Sequence, residues 1–126
     1  MVRGRPFSPR SGSHPIVKAG LAISGVYDLA PIRDTGLNVA LKLTDLEIAE
    51  LSPLLLPIVQ KPLAIAYGSA ELPALVWDSR NFHAARKAAG APGDLVAIQG
   101  ADHFTILEEL RRPDGALAKL ALSLVS

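Results

Sequence analysis

A chain of 126 residues with 49% hydrophobic and 20% charged side chains has the composition of one globular domain with a modest core, not of a disordered segment. Its net charge of +1 gives no electrostatic case for binding nucleic acid or an anionic membrane. The absence of cysteine excludes disulfides and thiolate metal sites, and fits a reducing, cytoplasmic setting.

Residues 1–17 mix Arg, Ser, Gly and Pro with one Phe and read as a disordered arm, which leaves 18–126 as the folded part. The basic run "VRGRPFSPR" has no aromatic stacking platform and no apolar stretch behind it, so it reads neither as a nucleic-acid arm nor as a secretory signal. "LAISGV" predicts a buried strand over 20–26, ended by Gly25. "APIRDTGLN" reads as loop, with Asp34, Gly36 and Asn38 as turn formers, and "VALKL" as a short helical piece. Thr44 and Glu47 have capping-box spacing, so a helix is expected from Thr44 to about Leu51, where the coming Pro53 disfavours it. "SPLLLPIVQKP" is broken by proline. "PLAIAYG" predicts a second strand over 62–67, and the spacing of Leu75, Val76, Phe82, Ala85 and Ala89 predicts a helix over 73–89 that stops at Gly90. "DLVAIQ" predicts a third strand over 94–99. "FTILEELRR" predicts a helix ended by Pro113, and "DGALAKLALSLV" a last one. The strands are continuously apolar, as in a parallel sheet covered on both faces, with 62–67 expected in the middle.

Chemistry concentrates at the carboxyl ends of two of these strands. His103 follows the third strand in "GADHF", and Glu71 follows the second in "YGSAE". Parallel strands bring both to one sheet edge, where open α/β sheets keep their sites. A carboxylate behind a histidine fixes its tautomer and stabilises the imidazolium, so the pair reads as the acid–histidine half of a nucleophilic triad, with the serine expected earlier in the chain. The plainer readings are a loop histidine bonded to backbone and a carboxylate placed at a helix amino terminus. Asp102 with His83 or Glu108 lacks metal-ligand spacing, and neither a metal nor a cofactor is expected. Trp77 is expected in core or rim packing, His83 at the surface, and Tyr27 and Asp28 as shapers of the loop after the first strand. Asn38 is open to a turn role or a pocket role, and Arg111 and Arg112 suit a helix end.

From about Gly20 to Val125 the sequence resembles the carboxyl-terminal part of an α/β-hydrolase, most like the kynurenine formamidase (arylformamidase) and esterase group. "ISGVYDLAPI" resembles the strand and loop after the nucleophile half, and "LSPLL" a Ser-Pro segment. "YGSAELPALVWDSRNF" resembles the acid loop and its helix, with Asp78 in place of the usual Gln and Ser79 after it. "GADHFTILEEL" resembles the catalytic histidine loop. The resemblance implies a partial α/β-hydrolase fold of three parallel strands with flanking helices, with Glu71 as acid and His103 as base. It implies hydrolysis of a small ester or N-formyl amide through an acyl-enzyme, without cofactor. Glu71 stands where many relatives carry Asp.

The sequence lacks both a G-x-S-x-G elbow and a His-Gly-Gly oxyanion motif, and Ser13, Ser24 and Ser69 all fail the elbow pattern. His103 is therefore expected to have no nucleophile on this chain, as in a truncated, split or mis-called gene product. The alternatives are a non-catalytic remnant or interaction module, or one chain of a two-chain hydrolase. The strand over 20–26 would have lost a neighbour, so a homodimer or a separate amino-terminal half is expected to pair with it.

Overall fold

The computed structural model describes residues 17–33, 35–36 and 38–125; the arm expected over 1–17 lies, apart from Val17, outside the described residues. Three strands, β1 (Gly20–Ile23), β2 (Leu63–Gly68) and β3 (Leu95–Ile98), form one sheet in the order β1-β2-β3. Both pairings are parallel, with Gly20 opposite Leu63 and Ile65 opposite Leu95. The expected α/β class and central β2 are thus observed.

Alternation along these strands serves two cores. Leu21, Ile23, Ala66, Val96 and Ile98 face one side, where they meet Ala101, Ile106 and Leu117. Ala22, Leu63, Ile65 and Leu95 face the other, against Tyr27, Leu54 and Phe82. The first face is covered by α6 (Ala116–Val125) and the second by α4 (Pro73–Ala88). A helix on each face explains why the strands carry apolar residues on both sides.

Pro73 begins α4, where its missing N–H costs no bond, and Gly90 follows the helix with φ +77°. Ser79, Phe82 and Arg86 form its buried stripe. Arg86 has no acidic partner among the described residues. It donates instead to the carbonyls of Val59, Lys61 and Pro92 at 3.2, 2.8 and 3.3 Å, which pins the proline-broken connection to the start of β3. Burial pushes its pKa below the ordinary arginine value. The expected capping box is present at α3 (Asp45–Leu51): Glu47 N–H donates to Thr44 Oγ1 at 3.1 Å and Thr44 N–H to Glu47 Oε1 at 3.0 Å.

Several boundaries depart from expectation. β1 stops at Ile23 rather than reaching residue 26, because Ser24 takes φ +52° and turns the chain before Gly25 is reached. The segment read as loop after Tyr27 contains a one-turn helix, α1 (Ala30–Arg33), preceded by a turn in which Asp28 Oδ1 accepts the Ala30 N–H at 3.0 Å. The short helical piece is α2 (Asn38–Leu41). The helix expected from Phe104 is reduced to α5 (Glu108–Arg111), since the Asp102 carboxylate takes the Phe104 and Thr105 N–H groups, both at 2.8 Å, into a turn. Trp77 is 64% exposed, not packed in the core, because it lies off the Ser79–Phe82–Arg86 stripe.

Candidate active site

β2 ends at Gly68, and the chain turns at once. Glu71 N–H donates to Gly68 O at 3.1 Å, and Glu71 Oε2 accepts the Gly68 N–H at 2.6 Å. The carboxylate therefore folds back onto the last amide of its own strand. Its side chain is fully buried. A second donor reaches the same oxygen from β1's end: Ser24 Oγ donates to Oε2 at 2.6 Å. The other oxygen, Oε1, lies 3.1 Å from His103 Nδ1. Burial pushes the Glu71 carboxyl up, but the hydrogen bonds from Ser24, Gly68 and His103 together outweigh it and hold the group below its ordinary value. An ionised carboxylate only accepts, so Nδ1 carries the imidazole proton and Nε2 of the neutral ring keeps its lone pair.

The histidine loop is built by its neighbours. Asp102 Oδ1 takes two backbone N–H groups, Asp102 N–H donates to Thr105 Oγ1 at 2.9 Å, and Ile106 N–H donates to Asp102 O at 3.0 Å. The amides of Thr105 and then Phe104 hold the Asp102 carboxyl below its ordinary value. His103 projects from this turn with half its side chain exposed, its ring edge-on to Phe104. Its Nε2 has no hydrogen-bond partner among the described residues.

The two loops are clamped together. Ser69 N–H donates to Ile98 O at 3.0 Å, Ala70 N–H to Ala101 O at 2.9 Å, and Gly100 N–H to Ser69 Oγ at 2.7 Å. A side chain at Gly68 would place its Cβ 2.1 Å from Ala101 O, so this approach requires glycine. Gly100 takes φ +77°, which lets the chain leave β3 toward the clamp.

The remaining candidates fall away from the pair. His83, on α4, has its Nε2 3.2 Å from Gly93 O. Asn38 Oδ1 accepts the Leu43 N–H at 2.7 Å, a turn role. Asp78 accepts the N–H groups of Tyr27 and Asp28 at 2.5 and 3.2 Å, fixing the loop after β1 to α4, while burial raises its carboxyl pKa. Tyr27 stacks on Phe82 at 4.3 Å, and burial pushes its phenol up. Arg111 and Arg112 pair with Glu108 and Glu109. No group of three His, Asp or Glu side chains suited to a metal ion occurs among the described residues. A cavity of about 300 Å³ lies at the opposite end of the sheet, lined by the strand starts Gly20 and Leu63 together with Leu56, Ile58 and Phe82. It is apolar and remote from His103. Sequence reasoning missed the parts of Ser24 and Thr105. The signal for Ser24 was available: in parallel register with β2, the residue after Ile23 lies beside the strand end that launches Glu71.

No family model matches the chain. Its sequence is 30% identical over 118 residues to a kynurenine formamidase of Danio rerio, and 29% identical over 118 residues to that of Salmo salar; each match takes in 88% of this chain. The chain spans about 40% of the length of these curated relatives. Among solved structures it is similar to a Silicibacter protein described as a candidate thioesterase, with TM-score 0.72 and 23% identity over 81% of this chain and 37% of that one. It is also similar to an acylaminoacyl peptidase of Pyrococcus horikoshii, with TM-score 0.68 and 18% identity over 90% of this chain and 20% of that one. A Thermogutta terrifontis esterase matches with TM-score 0.54 and 20% identity over 86% of this chain and 40% of that one. The chain is part of an α/β-hydrolase fold, resembling the kynurenine formamidases in sequence.

Proposed function

We propose that this chain supplies the acid–histidine half of a serine hydrolase acting on a small ester or an N-formyl amide, as the name kynurenine formamidase suggests for its relatives. The observation that carries the reading is the contact between buried Glu71 Oε1 and His103 Nδ1, which leaves Nε2 open. His103 Nε2 takes the proton of a serine hydroxyl as its oxygen bonds to the substrate carbonyl carbon. Glu71 stabilises the imidazolium, and the same proton then passes to the departing alcohol or amine as the acyl bond breaks. Water repeats the sequence on the acyl-enzyme. No G-x-S-x-G occurs in the 126 residues, so the reading assigns nucleophile and oxyanion donors to a segment outside this sequence. The cytoplasmic location expected from a cysteine-free composition belongs to the same proposal.

The outer edge of β1 is where that segment would join. Gly20 N–H donates to Pro62 O, just before β2, and Ser24 N–H to Ala66 O within it, so the N–H and C=O groups of Leu21 and Ile23 point away from β2, and β1 has no second neighbour among the described residues. Phe104 and Leu72, 85% and 70% exposed, flank the Glu71–His103 pair and offer apolar surface for it to cover.

The test is complementation. The chain is co-expressed with the part of a kynurenine formamidase that carries G-x-S-x-G, and turnover of an N-formyl arylamine or a p-nitrophenyl ester is followed. Activity is expected in the co-purified complex, absent from this chain alone, and lost in His103→Ala. Fluorophosphonate labelling and turnover by this chain alone would overturn the assignment of the nucleophile. A complex without turnover, or sedimentation of an inert self-paired dimer, would favour a non-catalytic interaction module, for which the missing elbow speaks.

A further inference from the structure

We infer that Ser24 is a positioning residue for the acid–histidine pair: its hydroxyl holds one oxygen of Glu71 so that the other is presented to His103. The inference rests on the function proposed above and adds a third side chain to it. Three observations carry it. The first is the division of the carboxylate. Ser24 Oγ and Gly68 N–H both donate to Oε2, each at 2.6 Å, and Oε1 is left to His103 at 3.1 Å. Because a carboxylate is planar, anchoring Oε2 both from the end of β2 and from the residue after β1 fixes the direction in which Oε1 accepts. Gly68 alone anchors it through the turn that contains Glu71 itself; Ser24 adds a donor from just past β1, 47 residues away. The second is burial. Ser24 is 8% exposed and the Glu71 side chain is wholly buried, so water does not replace a missing hydroxyl cheaply. Tyr27 Oη, also buried, makes no hydrogen bond to Glu71 and so does not share the task.

The third is backbone strain. Ser24 holds φ +52°, in the left-handed region that non-glycine residues avoid, while its N–H remains bonded to Ala66 O at 2.9 Å. Glycine would occupy that position at lower backbone cost, and the next residue is in fact Gly25. A strained residue bearing a hydroxyl, where glycine is the conformationally cheaper choice, points to a use for the hydroxyl.

The test reads the tautomer of His103 by ¹⁵N NMR of the imidazole in the full chain at neutral pH. It compares the unmodified chain with Ser24→Gly, which removes the donor and relieves the strain, and Ser24→Ala, which removes the hydroxyl alone and keeps the strain; both should move the tautomer ratio the same way. The unmodified chain should hold the Nδ1–H form. In Ser24→Gly the ratio should move toward Nε2–H, the form that exposed imidazoles favour, by about tenfold, as expected for loss of a hydrogen bond to a charged group. The unfolding midpoint of Ser24→Gly should fall, because a buried carboxylate loses one donor, while the chain stays folded at neutral pH. An unchanged ratio in folded Ser24→Gly overturns the assignment while leaving the pair intact. Collapse of the fold in Ser24→Gly also overturns it, because the hydroxyl's role is then structural. If His103 already favours Nε2–H in the unmodified chain, the acid–histidine pair itself fails, and the role of Ser24 with it.

Discussion

Gly68→Ala tests the clamp that holds the two loops in register. A Cβ at Gly68 would lie 2.1 Å from Ala101 O and 2.7 Å from its carbonyl carbon, whereas carbon–oxygen contacts settle near 3.3 Å. The histidine loop must therefore retreat by roughly 1 Å. It is tied to the acid loop by the Ser69–Ile98, Ala70–Ala101 and Gly100–Ser69 hydrogen bonds, and Ala70–Ala101 uses the very carbonyl that has to move. Overpacking of this kind costs about 1–3 kcal/mol. Loss of one neutral hydrogen bond adds about 0.5–1.5 kcal/mol. The variant should be destabilised by about 2–4 kcal/mol in chemical denaturation, with an unchanged m value. The Glu71–His103 contact, already at 3.1 Å, should open beyond hydrogen-bond range. In the reconstituted enzyme a displacement of that size should lower turnover by about 10²-fold. Gly36→Ala is the control, since nothing among the described residues lies within 4 Å of a Cβ there and its φ is not in the left-handed region. A Gly68→Ala chain as stable as Gly36→Ala, with the His103 tautomer unmoved, would refute the reasoning.

Acidification should cost stability through Glu71. Its carboxyl is held lower in the folded chain than in the unfolded one, so its contribution is complete above the unfolded value and is lost as pH falls through the folded value. Asp78, raised by burial, has the opposite sign, and its contribution is lost as pH rises through its folded value; denaturation across the acid range should show Glu71→Gln flattening the slope and Asp78→Asn steepening it. Leu117→Ala should cost about 2–5 kcal/mol, read from the denaturation midpoint, because the side chain is fully buried between α6 and the sheet. Thr44→Ala should cost about 1 kcal/mol and raise amide exchange in the first turn of α3, since it removes one side of the capping box.

What was legible in the sequence follows from how local each signal is. The parallel sheet was legible because a strand buried on both faces must be apolar throughout, and "LAIAYG" has no other good use. The capping box of Thr44 and Glu47 was legible because both partners lie within one turn. The long helix opening at Pro73 was legible because an apolar stripe repeats along it. The missed features depend on side chains that compete with the regular backbone. Asp102 diverts two N–H groups and shortens the helix expected after His103. Asp28 closes a turn just ahead of a one-turn helix where only turn formers were visible. Ser24 ends β1 early, and its partner is 47 residues distant. That contact exists only once β1 and β2 are in register, so no window of sequence contains it. Glu71 and His103 were legible as a pair only on the premise that their strands are parallel, which both pairings satisfy.

The geometry of the pair depends only on elements this chain contains. Glu71 is held by donors from the end of β1 and from β2, and His103 by the loop after β3. The two loops are bonded to one another rather than to anything beyond the sheet. Under the proposed function, a partner segment would have no part in setting the tautomer of His103; it would meet an imidazole whose Nδ1 is already committed. This separates two costs that are usually mixed. Orientation of the imidazole is met within the folding of the three-stranded unit, and under the proposed function association would have only to place a nucleophile and oxyanion donors against Nε2. It also explains why the site is exposed on the His103 side alone. Glu71 is sealed because its charge is satisfied from within, whereas His103, half-exposed beside Phe104, presents the one nitrogen that has no bond among the described residues. Weakening the edge of β1 should on this argument lower the affinity for the partner without changing the state of the imidazole, while weakening the clamp at Gly68 should change the imidazole whether or not a partner is bound.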